Sequence, residues 1–307
     1  MPKAFVMLAW TCLALGLTRC SGPLPPPPVT GDGIALKGML SELLAKGSRN
    51  LEHPAEFDEA RKFIENYWIQ LGGRVMLQTY EVLSQPVHNI ILQVGPDQGP
   101  ILVIGAHYDV AGDLPGADDN GSGTVGLMLL GKKLLEDADK LEIGVQLVAF
   151  TLEEPPFFQT PNMGSAQYAR SLRLAGSEVI AMVSLEMIGY FSDQPGSQSF
   201  PDGLPGEPPP DTGNFLCLVG RENERAFIEK LHSLMASRGD LPLLPLIADP
   251  QIPGISYSDH HSFWENGFPA MMITDTAFYR NPNYHQKSDT LETLHFDTMA
   301  TLVQNLH

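Results

Sequence analysis

Ile101-Leu102-Val103-Ile104 is an apolar run without a polar break, and it ends abruptly in Gly105-Ala106-His107-Tyr108-Asp109. Such a run predicts a strand buried on both faces, the kind found in largely parallel sheets flanked by helices. In extended chain, His107 and Asp109 point to the same side. Open α/β sheets bind their ligands beyond the carboxyl ends of their strands, so these two residues stand where chemistry is expected. Taken alone, a core histidine beside a turn aspartate is the favoured reading.

The rest of the chain changes that balance. Val145 to Thr151 is a second buried strand, running into Leu152-Glu153-Glu154-Pro155, and Val179 to Leu185 is a third, ending at Glu186. The loop from Asp113 to Gly123 carries Asp118-Asp119, and the polar loop from Asn281 to Asp289 carries His285. Each has a plain explanation by itself: a turn for Asp118-Asp119, a solvated strand end for Glu153-Glu154, a paired acid at Glu186, a surface histidine at His285. Together these accounts strain, because acids from several strand ends converge at one sheet edge. Like charges that close raise one another's pKa, and a bound cation relieves them. Imidazole and carboxylate donors without thiolate suit Zn²⁺, with Mn²⁺ or Co²⁺ as substitutes. Two histidines and three carboxylates exceed the needs of one tetrahedral catalytic zinc and suffice for two metals sharing a carboxylate.

Between these strands lie helical patterns. Ile34 to Ala45 has helical spacing, and His53 to Leu71 carries Phe57, Ala60, Ile64, Tyr67 and Leu71 on one stripe, with Gly72 to stop it. Helices are expected over Thr124–Glu136, Gly164–Leu172, Glu222–Arg238 and Phe296–Leu306. Further strands are expected over Val75–Val82, Asn89–Val94, Phe215–Val219 and Ala270–Thr274. The alternation predicts an α/β chain: three α/β/α layers around a central, mostly parallel mixed sheet. Phe191 to Gly213 is a long loop of the kind that shapes a site.

The amino terminus reads differently. Lys3 followed by the apolar stretch Phe5–Leu17, too short to span a bilayer comfortably, is an export signal over residues 1–20. Leu17-Thr18-Arg19-Cys20 is similar to the cleavage box of bacterial lipoproteins, apart from Arg19. Acylation at Cys20, with anchoring to a membrane, stands beside ordinary cleavage after Gly16. Residues 21–33, with Pro25 to Pro28, form a stiff tether, so one catalytic domain is expected over residues 34–307 of an exported chain. Only Cys217 lies in that body, which excludes a disulfide framework there. The net charge of −17 argues against nucleic acid and anionic membranes as partners.

Five motifs in order, Gly105-Ala106-His107-Tyr108-Asp109, Pro115 to Gly123, Thr151-Leu152-Glu153-Glu154, Leu185 to Tyr190 and Tyr284 to Thr290, resemble the secreted bacterial double-zinc aminopeptidases. That family is kin to glutamate carboxypeptidase and the glutaminyl cyclases, and the resemblance runs from about Leu36 to the end. It implies a zinc-exopeptidase-like fold and hydrolysis of N-terminal residues from peptides with a free N-terminus. It also implies one zinc on His107, Asp118 and Glu186 and another on Asp118, Glu154 and His285, with Asp118 bridging the two, and a cis Asp118-Asp119 bond. Glu153 would be the general base, Asp109 would orient His107, and Tyr284 would assist the oxyanion. Glu186 departs from the family pattern, which more often has Asp there. A glutaminyl cyclase, a carboxypeptidase and a non-catalytic binding module are the rival readings. The segment from Tyr257 to His261 is read as leading into a helix over Ser262–Asn266, with Asp259 at the helix start or behind a ligand, rather than His260 and His261 as metal ligands.

Overall fold

The computed structural model of the chain describes residues 31–206, 209–239 and 241–307. The expected export signal, Cys20 and residues 21–30 of the tether lie outside the described residues. Among the described residues no helix is long and apolar enough to cross a membrane.

The first helix, α1 (Asp32–Leu44), buries Leu36, Leu40 and Leu43, spaced at three and four residues as one helical face requires. The second, α2 (Pro54–Gln70), begins on a proline, whose missing N–H costs nothing at that position. Its buried stripe is Phe57, Ala60, Ile64 and Trp68. From Ile64 the stripe steps four residues to Trp68, not three to Tyr67 as the sequence suggested, and Leu71 falls outside the helix. The Trp68 indole N–H donates to the Met128 carbonyl at 3.3 Å, which lets this large side chain be buried without an orphaned donor. Full burial of apolar side chains of this size stabilises by about 1.5–3 kcal/mol each.

The strands are β1 (Arg74–Val82), β2 (Gln85–Val94), β3 (Ile101–His107), β4 (Gly144–Phe150), β5 (Val179–Glu186), β6 (Leu216–Gly220), β7 (Leu243–Ile247) and β8 (Ala270–Thr274). They form one mixed sheet in the order β1-β2-β4-β3-β5-β8-β6-β7. The centre, β4-β3-β5-β8, is parallel; β1, β2 and β4 pair antiparallel, as do β8 and β6. The remaining helices are α3 (Gly123–Glu136), α4 (Gly164–Ala175), α5 (Arg225–Ala236), α6 (His260–Glu265) and α7 (Phe296–Leu306).

Strand side chains alternate between two cores. Leu92, Ile104, Leu147, Val183 and Ile273 meet α1, α2, α3, α5 and α7 on one face; Ile91, Val103, Val148, Met182 and Met272 meet α4 and α6 on the other. This is the expected three-layer α/β/α arrangement. The parallel centre aims four strand ends, β4, β3, β5 and β8, at one edge. Helix α3 starts close beneath that edge because its first residue is glycine: a Cβ on Gly123 would lie 2.5 Å from the Leu185 carbonyl oxygen. Strand β7 was not expected. It is an outer strand containing Pro245, and a sheet edge is where a proline is tolerated.

Candidate metal centre

His107 closes β3 and is fully buried. Its Nε2 lies 3.5 Å from Asp119 Oδ1, 3.4 Å from Glu186 Oε2 and 3.8 Å from Glu153 Oε2. On the far side of Asp119, His285 Nε2 lies 3.0 Å from Asp119 Oδ2 and 3.3 Å from Glu154 Oε2. Two donor groups result, His107–Asp119–Glu186 and Asp119–Glu154–His285, each with one candidate ligand atom per residue within 4.8 Å of the others. Their common member is Asp119. The structure therefore brings together His107, Glu154, Glu186 and His285 as anticipated but corrects the shared aspartate.

Asp118 faces away from both groups. Its Oδ1 accepts the Gly189 N–H at 3.0 Å and its Oδ2 accepts the Asn281 amide at 2.7 Å, while its carbonyl accepts the Ser122 hydroxyl. With its acceptors engaged, Asp118 ties three segments together beneath the site and leaves the donor position to its neighbour. The cis peptide follows the same one-residue shift: it joins Asp119 to Asn120, not Asp118 to Asp119. Beyond it, Asn120 donates to the Leu185 carbonyl and accepts the Gly123 and Met187 N–H groups.

The electrostatics of the cluster are unbalanced by protein groups alone. Asp119, Glu153, Glu154 and Glu186 are all buried. Burial and then Asp119 push Glu154 up to about 7, and burial holds Glu153 well above the carboxylate range despite His107. Burial would lower the His107 imidazole, but Glu186 and Glu153 outweigh it and raise it well above its ordinary value. Among the described residues, His107 Nε2 and His285 Nε2, the ring nitrogens that face these carboxylates, have no hydrogen-bond partner. Buried polar atoms are nearly always satisfied, so orphans converging on one spot mark a missing electrophile. Imidazole and carboxylate donors without thiolate fit a divalent ion, zinc above all.

Two aspartates fix the backbone that carries these donors. Asp109 accepts the N–H groups of Glu153 and Glu154, one on each oxygen, at 3.1 and 3.0 Å. It also lies 3.4 Å from His107 Nδ1, so its role is wider than the expected orientation of that ring. Asp289 does the same for the other acidic pair, accepting the N–H groups of Asp118 and Asp119 at 2.8 and 3.1 Å.

Residues 89–307 match the model of Peptidase family M28. The chain belongs to that family. As an M28 member it is a peptidase. It is 39% identical over 266 residues to the uncharacterized protein YfbL of Escherichia coli (strain K12), covering 84% of this chain and 81% of that one. It is 30% identical to a probable leucine aminopeptidase of Trichophyton verrucosum (strain HKI 0517), covering 87% of this chain and 73% of that one. In fold it resembles the LapA aminopeptidase of Legionella pneumophila, with a TM-score of 0.71 at 20% identity over 89% of this chain and 69% of that one.

Other parts of this M28 peptidase were not foreseen. Arg49, fully buried, donates to the carbonyls of Tyr108, Pro115 and Gly116 and so anchors the chain on either side of the loop that delivers Asp119. Ser258 donates to Glu186 Oε2 at 2.8 Å and restrains its long arm. Leu152, Met187 and His285 have positive φ at 57°, 48° and 52°, each at or within two residues of a donor. Such strain gathers at functional sites. The nearest sequence signal for Asp289 was its membership of the Tyr284–Thr290 motif; Arg49 had none. His260 and His261 belong to neither donor group: His260 Nε2 donates to the Ile255 carbonyl and its ring packs on Trp264. Asp259 precedes α6 without capping it through its side chain, and both its carboxylate oxygens are buried without a hydrogen-bond partner.

Replacing Asp289 with Ala strands two consecutive buried N–H groups, each costing about 1–3 kcal/mol. Urea denaturation is expected to register a loss of about 2–6 kcal/mol. Asp289→Asn, which keeps one acceptor, should lose less, and equal stability of all three proteins would deny the clamp any role.

Proposed function

We propose that this chain is an exported, zinc-dependent aminopeptidase acting on peptides with a free N-terminus and a large apolar first residue. The observation that carries the reading is the pair of donor groups sharing Asp119, with Glu153 beside them, at the mouth of one cavity. That cavity measures about 290 Å³, and its walls include Phe158, Phe200, Ile255, Met272, Phe278 and Tyr284. Such walls suit a leucine or phenylalanine side chain. Asp119, Glu153, Glu154 and Glu186 line the cavity as well, and among the described residues no lysine or arginine does. A substrate ammonium is attracted there and a substrate carboxylate repelled, which favours an aminopeptidase over a carboxypeptidase.

His107, Asp119 and Glu186 would hold one ion, and Asp119, Glu154 and His285 the other. A pair of divalent ions supplies Lewis-acid polarisation of the scissile carbonyl and a water acidic enough to react at neutral pH. The protein's own groups do the rest. Glu153 faces the cavity beside the donor groups, where its carboxylate would accept a proton from water and hand it to the leaving amine. Asp109 holds the backbone of that glutamate still. Tyr284 stacks on His285 with ring centroids 4.0 Å apart and lines the cavity, in position to donate to a developing oxyanion. A glutaminyl cyclase needs a single zinc, so the complete second donor group favours hydrolysis. Export is supported by Lys3, the apolar run Phe5–Leu17 and Cys20. The mass of the mature amino terminus distinguishes acylated Cys20 from cleavage after Gly16.

The test pairs metal analysis with turnover. Near two zinc ions per chain and chelator-sensitive release of leucine from a leucyl amide are expected, with leucyl and phenylalanyl substrates preferred to glycyl. One zinc, no release of leucine and cyclisation of a glutaminyl peptide would replace the reading with the cyclase.

A further inference from the structure

A second recess lies across Glu154 and Pro155 from the large cavity. It measures about 160 Å³ and is bounded by Leu51, Leu83, Val110, Pro156 and Phe157, with Asp109 and Glu154 also in its wall. Glu154 and Pro155 line both spaces. On the aminopeptidase reading, which this inference presupposes, the first side chain fills the large cavity and the scissile bond lies at the donor groups. The recess shares Glu154 and Pro155 with that cavity and so adjoins the space left for the remainder of the peptide.

The tip of the β1–β2 hairpin supports the same assignment from a different direction. Val82 and Gln85 pair across a two-residue turn, Leu83-Ser84, in which both residues have positive φ, 51° and 61°. A turn of this shape favours Asn-Gly, and left-handed backbone crowds the Cβ of a leucine. Leu83 is also 75% exposed. Neither backbone preference nor burial in the fold accounts for a leucine here, whereas contact with a bound peptide does. The opposite rim is fixed, because the Asn50 amide donates to the carbonyls of Val110 and Gly112.

We propose that this recess binds an apolar side chain on the second residue of the substrate, in peptides that continue beyond it. Among the described residues no lysine or arginine lines the recess, and Glu52 does. An acidic second residue is repelled there, and so is the free carboxylate of a dipeptide.

The experiment compares kcat/KM for leucinamide, Leu-Leu-amide, Leu-Asp-amide and the free dipeptide Leu-Leu, using the zinc-loaded protein and Leu83→Gly, a substitution that suits the turn. Leu-Leu-amide should exceed Leu-Asp-amide and free Leu-Leu by about tenfold or more, the scale of apolar pocket discrimination. In Leu83→Gly the preference over Leu-Asp-amide should fall by about fivefold, the scale of losing one partly buried leucine contact. Equal rates on the three longer substrates, or a preference untouched by Leu83→Gly, would overturn the proposal even if leucinamide is cleaved normally. Failure to cleave leucinamide as well would remove the aminopeptidase reading and this subsite with it.

Discussion

Glu153→Gln is expected to keep its full complement of metal and lose between about a hundredfold and ten-thousandfold in kcat, the range a positioned proton acceptor contributes. The two properties separate because of where Glu153 stands. Both donor groups are complete without it, yet it lies 3.8 Å from His107 Nε2 and faces the cavity. Glutamine preserves the shape and the backbone bond from Glu153 N–H to Asp109 while removing the basic oxygen. Metal analysis and kcat on a leucyl amide check both halves. Retained turnover would take the proton transfer away from this residue; lost metal would make it a ligand.

The second large effect distinguishes neighbouring aspartates. Asp119→Ala should abolish stoichiometric metal binding altogether, because the residue belongs to both donor groups. Asp118→Asn should keep both metals. It retains the oxygen that accepts the Gly189 N–H and loses the bond from Asn281, whose buried amide is left without that acceptor at a cost of about 1–3 kcal/mol of stability. Zinc titration by calorimetry with thermal unfolding of each variant reads the contrast. The reverse pattern would restore the assignment that the sequence motif suggested.

That reversal illustrates what could be read without coordinates. The unbroken apolar runs ending in acids identified β3, β4 and β5 and the edge at which they converge, because burial and strand termination are both written locally. The α/β/α layering followed from alternation. The choice between Asp118 and Asp119 was not local: it depends on a backbone turn held by Asp289, 170 residues away, and on Gly189 and Asn281 occupying Asp118. Trp68 displaced Tyr67 for a related reason, since a period of 3.6 permits both steps and only the position of the Met128 carbonyl decides. Arg49 bonds backbone carbonyls, which leave no trace in the residue alphabet.

The two aspartate clamps have a wider consequence. Each belongs to a histidine's own segment, Asp109 two residues after His107 and Asp289 four after His285, and each grips an acidic pair elsewhere in the chain. His107 also meets Asp119, and His285 meets Asp119 and Glu154. The clamps thus tie the four segments in two pairs, and Asp119, common to both donor groups, joins the pairs into one frame of four short bars. No bar can lengthen by a residue without moving the others, whereas the spans between them are outside the frame. Insertions and deletions should accumulate in stretches such as 191–213 while the four short bars keep their length, so the enzyme can acquire new rims around an unaltered reaction centre.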